Sequence, residues 1–266
     1  MNGNIWLAFG LTALAGLSTG IGGAIAFFAK KTNTKFLSLS LGFSAGVMIY
    51  VSMIEIFQKA QSTLQATMGE KLGAVATVAA FFAGMLLIGV IDRLIPQEDN
   101  PHEIPEPDAD PSAPDHGKLM RTGLFTALAI AIHNFPEGLA TFVSALQEPS
   151  LAIPIVVAIA IHNIPEGIAV AVPIYYAGGD KKRAFLYSFA SGLSEPIGAV
   201  IGYLILMPFM NESVSGLVFA AVAGIMVFIS LDELLPSARA YGEHHLSIYG
   251  LVMGMAFMAV SLLLFI

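Results

Sequence analysis

Residues 133–138 read His-Asn-Phe-Pro-Glu-Gly, and residues 162–167 read His-Asn-Ile-Pro-Glu-Gly. On a helix, positions four apart share a face, so His133 with Glu137 and His162 with Glu166 each form a two-donor claw. Imidazole and carboxylate together suit zinc, iron(II), manganese and cobalt. Asn134 and Asn163 add neutral oxygen donors, which help a transit site bind a cation without holding it too tightly. Pro136 and Pro165 have no N–H, so the carbonyls of Ile132 and Ile161 lose their usual helical partner. A carbonyl freed beside a histidine can kink the helix, admit water or face a cation. Gly138 and Gly167 leave room for a second helix to approach closely. Glu195, in Ser194-Glu195-Pro196, repeats the pairing of acid and proline further along the chain.

The elements that position these donors are apolar. Of 266 residues, 56% are hydrophobic and 12% charged, against about 25% charged in soluble domains, which defines an integral membrane protein. The absence of cysteine excludes disulfides and thiolate ligands. The net charge of −7 gives no footing for nucleic acid, since 7 of the 19 acids (Glu98, Asp99, Glu103, Glu106, Asp108, Asp110 and Asp115) fall in one loop.

A membrane-spanning helix needs about 20 mostly apolar residues. Eight segments qualify, at about 5–28, 36–57, 72–95, 121–146, 151–176, 184–208, 213–238 and 246–266. The chain therefore reads as one all-α transmembrane domain over 1–266, with a proline- and acid-rich loop at about 96–120. Met1 to Asn4 hold no basic residue, so the first segment is expected to be a retained span and not a cleaved signal. Loops on one side carry Lys30, Lys31, Lys35, Arg93, Lys118, Arg121, Lys181, Lys182, Arg183 and Arg239, while the other side carries only Lys59 and Lys71. This bias places both termini outside and the acidic loop in the cytoplasm.

In that frame His133, His162 and Glu195 lie 12, 11 and 11 residues into three consecutive spans, all near mid-membrane. One charged side chain there costs about 2.5–3.5 kcal/mol. Three bare carboxylates would cost on the order of 8–10 kcal/mol, comparable to a whole domain's stability. No lysine or arginine shares their depth, so the glutamates are either protonated or bound to cations. A lone buried acid can simply hydrogen-bond across a helix interface, but a duplicated hexapeptide argues against that plain reading. Glu55, Asp232 and Glu233 lie near span ends, where an entry or exit vestibule competes with ordinary solvation. His102, His116 and His244-His245 could capture metal or be solvated loop residues.

At the two His-Asn-x-Pro-Glu-Gly motifs and Glu195 the chain resembles the ZIP (Zrt-/Irt-like) family of divalent metal transporters, on its bacterial zinc-transporter branch. The resemblance implies a binuclear centre. One ion would take His133, Glu137, His162 and Glu166; the second would take Asn134, Asn163 and Glu195, with Glu137 and Glu166 bridging. It implies import of Zn2+, with Fe2+, Mn2+, Co2+ and Cd2+ as further cargo, across a plasma membrane, the inner membrane in a bacterium. It also implies that spans one, four, five and six slide against the rest, and the glycine-rich faces allow a homodimer. Two features depart from the family pattern. The loop has only His102 and His116 where many members carry a histidine-rich tract, and some relatives have glutamine and aspartate where this chain has His162 and Asn163.

Transport has two competitors, an intramembrane zinc-dependent hydrolase and a passive scaffold with a structural metal, and the scaffold does not explain neutral asparagine donors on kinked helices. Zinc proteases place His-Glu-x-x-His on a helix, a pattern this chain lacks, and ligation by every deep donor leaves no open metal position. No Gly-x-x-x-x-Gly-Lys motif is present for direct ATP use. The expectation is a transporter and not an enzyme.

Overall fold

A computed structural model describes residues 4–25, 34–93, 116–147, 149–178, 180–241 and 244–263; some helical side chains, that of His133 among them, lie outside the described set. Among the described residues the protein is all-helical, with no strand. The order is α1 (Ile5–Ile25), α2 (Thr34–Tyr50), a π-helical turn (Val51–Ile56), α3 (Phe57–Met68), α4 (Glu70–Arg93), α5 (His116–Gln147), α6 (Pro149–Gly178), α7 (Lys181–Gly192) and α8 (Ser194–Leu206). After the short 3-10 turn Met207–Phe209 come α9 (Glu212–Ile229), a second π-helical turn (Ser230–Leu234), α10 (Leu235–Tyr241) and α11 (His244–Leu263). Most of the acidic loop, including His102, lies outside the described residues; His116 opens α5.

Among the described residues, six helices are long and apolar enough to cross a membrane: Ile5–Ile25, Ser38–Met68, Glu70–Arg93, Lys181–Ile205, Glu212–Arg239 and His245–Leu263. The two helices bearing the hexapeptides, α5 and α6, have 32 and 30 residues, and within α6 the stretch Ile159–Tyr175 is apolar. Within the described residues the eight expected segments lie on helix apart from the turn at Leu193 and the 3-10 turn at Met207–Phe209, and one differs clearly in extent. The second continues to Met68 instead of ending near 57, because α3 is amphipathic and buries Ala60 and Leu64 beneath its polar face. Gly69, with φ 86°, then reverses the chain, and its N–H donates to the Gln65 carbonyl at 3.0 Å.

Local chemistry sets the other ends. Asp180 caps α7 by accepting from the Arg183 N–H at 3.1 Å, and Asn211 caps α9 by accepting from the Val214 N–H at 2.9 Å. The rod formed by α7 and α8 breaks at Leu193, three residues before Pro196, which cannot donate to the Gly192 carbonyl.

The helices sort into two groups by what they pack on. α1, α5, α6, α7 and α8 pack on one another, and this set holds every hexapeptide residue and Glu195. α2 packs on α10 and α11, and α9 packs on α3 and α4. The groups meet where α2 lies along α6 and α5 lies along α9. A common apolar core joins them, with Leu41 and Met48 of α2, Phe142 of α5, Ile174 of α6 and Met226 of α9 all buried.

Candidate metal centre

The hexapeptides sit mid-helix, each with its proline inside the helix and its glycine against a neighbour. A Cβ on Gly138 would overlap the backbone of Glu195 on α8, and one on Gly167 would overlap the Thr19 carbonyl on α1. Only glycine permits that approach, so the last residue of each motif docks it on a different partner. On the far side of α1, Gly16 rests on the Gly192 carbonyl that Pro196 leaves without a helical donor. The short side chains predicted to let helices close up do so here, and they bring α5, α6 and α8 together around the donors.

Within that frame the predicted residues meet in pairs. His162 Nε2 lies 3.1 Å from Glu137 Oε1, joining the second motif to the first. The Asn163 amide donates to Glu195 Oε1 and, at 3.1 Å, to the Ala15 carbonyl of α1. The Asn134 amide donates to the Ser191 carbonyl at 3.4 Å. Glu137, His162, Asn134, Asn163, Glu166 and Glu195 are each at most 1% exposed. His133 takes its place on α5 one turn before Glu137, with its side chain outside the described residues.

Three oxygens here have no hydrogen-bond partner among the described residues: Asn134 Oδ1, Asn163 Oδ1 and Glu195 Oε2. Both asparagines point their N–H groups at carbonyls or at Glu195, which leaves their oxygens available. An unsatisfied buried acceptor costs about 1–3 kcal/mol. Three on adjacent helices are costly unless something positive completes them. These are the three residues that the family resemblance assigns to a second ion. Among the described residues no three His, Asp or Glu side chains form a ready-made metal site, so the donor set depends on the asparagines and on His133.

Sequence reasoning missed Ser44. It lies on α2, fully buried, and its hydroxyl donates to Glu166 Oε1 at 3.0 Å and approaches the His162 carbonyl at 3.3 Å. A lone serine in Gly-Phe-Ser-Ala-Gly carries no signal of its own; only the packing of α2 on α6 gives it meaning.

Of the weaker candidates, Glu233 is buried inside the second π turn while its neighbour Asp232 is exposed, so simple solvation at a helix end does not describe Glu233. Glu55 is half-buried in the first π turn. His245 is exposed and stacks on Tyr249, with centroids 6.2 Å apart.

A buried, paired His/Glu/Asn cluster held between apolar helices has the donor chemistry to suit a membrane protein that handles cations. The model of the ZIP zinc transporter family matches residues 95–262. The chain is 67% identical to the zinc transporter ZupT of Streptococcus mutans, each covered in full. It is 64% identical to the zinc transporter ZupT of Clostridium perfringens, over 99% of this chain and 97% of that one. It is 63% identical to the zinc transporter ZupT of Oceanobacillus iheyensis, over 98% of each. The chain belongs to the ZIP zinc transporter family. It is a transporter and not an enzyme, a multi-pass integral membrane protein, and in bacteria a protein of the inner membrane.

Proposed function

We propose that the protein imports Zn2+ into the cytoplasm through a binuclear site in mid-membrane, with Fe2+, Mn2+, Co2+ and Cd2+ as further cargo. One ion takes His133, Glu137, His162 and Glu166. The other takes Asn134, Asn163 and Glu195 and shares the two bridging glutamates. The observation that carries this reading is the set of buried oxygens Asn134 Oδ1, Asn163 Oδ1 and Glu195 Oε2, which no donor among the described residues satisfies. The identically named zinc transporters among the relatives support zinc as the main cargo.

In this reading α5 and α6 complete a set of eight spans, both termini lie outside, and the loop at about 96–120 faces the cytoplasm. α1 and α5–α8 carry the ions and move as a unit against the other helices. The divided packing of the two helix groups supports such a motion.

The test is zinc uptake into proteoliposomes by the native chain, by Glu137→Ala and by Glu166→Ala. Each variant removes a bridging ligand, and uptake is expected to fall to background while the protein stays folded. Uptake that persists in either variant would place the ion path elsewhere.

A further inference from the structure

Glu166, which the proposed function makes a bridging ligand, is held from outside its own helix group. Ser44 belongs to α2, and α2 is fixed on its other side. Gly42 and Gly46 lie against the backbone of Ser247 and Leu251, while Gly250 and Gly254 of α11 lie against Leu39 and Phe43. Four interlocked glycines join α2 to α11 backbone to backbone. The 3.0 Å bond from Ser44 to Glu166 therefore runs from a helix outside the ion-carrying group to a residue within it.

We propose that Ser44 is a positioning residue that ties the ion-carrying group to α2 while no ion is bound and releases it when a cation arrives. A serine hydroxyl has one proton and can donate to one acceptor at a time. Two acceptors lie within reach, Glu166 Oε1 at 3.0 Å and the His162 carbonyl at 3.3 Å. The nearer acceptor, Glu166 Oε1, takes the proton while no ion is bound. A divalent ion on Glu166 draws electron density from that oxygen and weakens the bond. The proton can then turn to the His162 carbonyl, a neutral and more distant acceptor. Loading thus loosens the tie between the two groups, and the return of the empty site becomes the slow step of the cycle.

This inference rests on the transport reading, and two kinetic modes separate them. Net zinc uptake requires the empty site to return, whereas zinc-for-zinc exchange between loaded vesicles and medium does not. Ser44→Ala is expected to raise the ratio of net uptake to exchange by roughly tenfold, the scale of one hydrogen bond. Ser44→Thr, which keeps the hydroxyl, is expected to restore the native ratio. Ser44→Cys, with a weaker donor, should fall between them, and it keeps the measurement decisive if the alanine variant does not fold. A ratio that is unchanged or lowered in the alanine and cysteine variants, or uptake and exchange that fall in parallel, overturns the role of Ser44. Absence of both activities in the native protein overturns the transport reading itself.

Discussion

The ion-site group of α1 and α5–α8 and the flanking group of α2–α4 and α9–α11 are built by the same device but join each other by a different one. Inside each group, glycines bring backbone onto backbone: Gly22 against Ile164 and Gly198 against Phe135 in one, Gly84 against Ala221 and Gly224 against Phe81 in the other. Among the described glycines, every one whose added Cβ would come within 3.0 Å of another atom meets its own group. Across the boundary the contacts are side chains, such as Ile132 of α5 against Ile88, Ile225 and Ile229, together with the Ser44 bond. Interlocked backbones resist sliding because close packing leaves no slack. An apolar side-chain boundary can exchange one set of neighbours for another at little cost. Rigid groups meeting at a side-chain seam suit the proposed motion of one group against the other.

Bridging the seam should have the largest effect. The chain has no cysteine, so introduced thiols are the only ones. Ile132→Cys with Ile229→Cys, joined by a short cleavable thiol reagent, is expected to bring zinc uptake to background, with recovery on cleavage. Ala15→Cys with Ile159→Cys, packed together inside the ion-site group, should leave uptake at half or more after the same treatment. Equal inhibition by both bridges would erase the distinction between seam and interior.

Next come the glycines. Gly167→Val and Gly224→Val each drive a side chain into backbone, costing about 3 kcal/mol by overpacking and lowering the detergent melting temperature in both cases. They should differ in function. Gly167→Val also displaces Glu166, so uptake per folded molecule should fall more than tenfold, whereas Gly224→Val should largely keep it. Similar losses of uptake would mean that the flanking group is as much a part of the site as the motif helices.

The helix caps give the smallest effect. Asp180→Ala in one group and Asn211→Ala in the other each remove a cap worth about 1 kcal/mol. Each should lower the melting temperature by about 2–4 °C and leave uptake per folded molecule unchanged.

The helices and the burial of the candidate donors were readable in the chain because both follow short-range rules. Apolar length marks the rods, and the four-residue spacing of His162 with Glu166 survives into the structure as a shared face. Which donors would pair was not readable. His162 meets Glu137, the acid of the other motif, and that depends on how α5 and α6 lie together. The extension of α3 was hidden by its polar residues, Gln58, Lys59 and Gln61, since an amphipathic helix does not raise hydropathy. Ser44 could not be found at all, because its role is set entirely by a partner 122 positions away. The π turns were equally invisible: one extra residue in a helix leaves no trace in composition.

A π turn holds a residue that the α-helical count does not need, so Val51–Ile56 and Ser230–Leu234 act as phase-setting insertions in otherwise regular rods. Loss of a single codon within 230–234 would let the rod close into α-helix with everything beyond it still in phase. Ala238 would keep its buried face and Arg239 its exposed one. The same deletion in the regular helix on either side would instead rotate the rest of the rod by about 100°. For this protein, the two places where the rods are widest are those where a one-residue deletion disturbs the helical phase least.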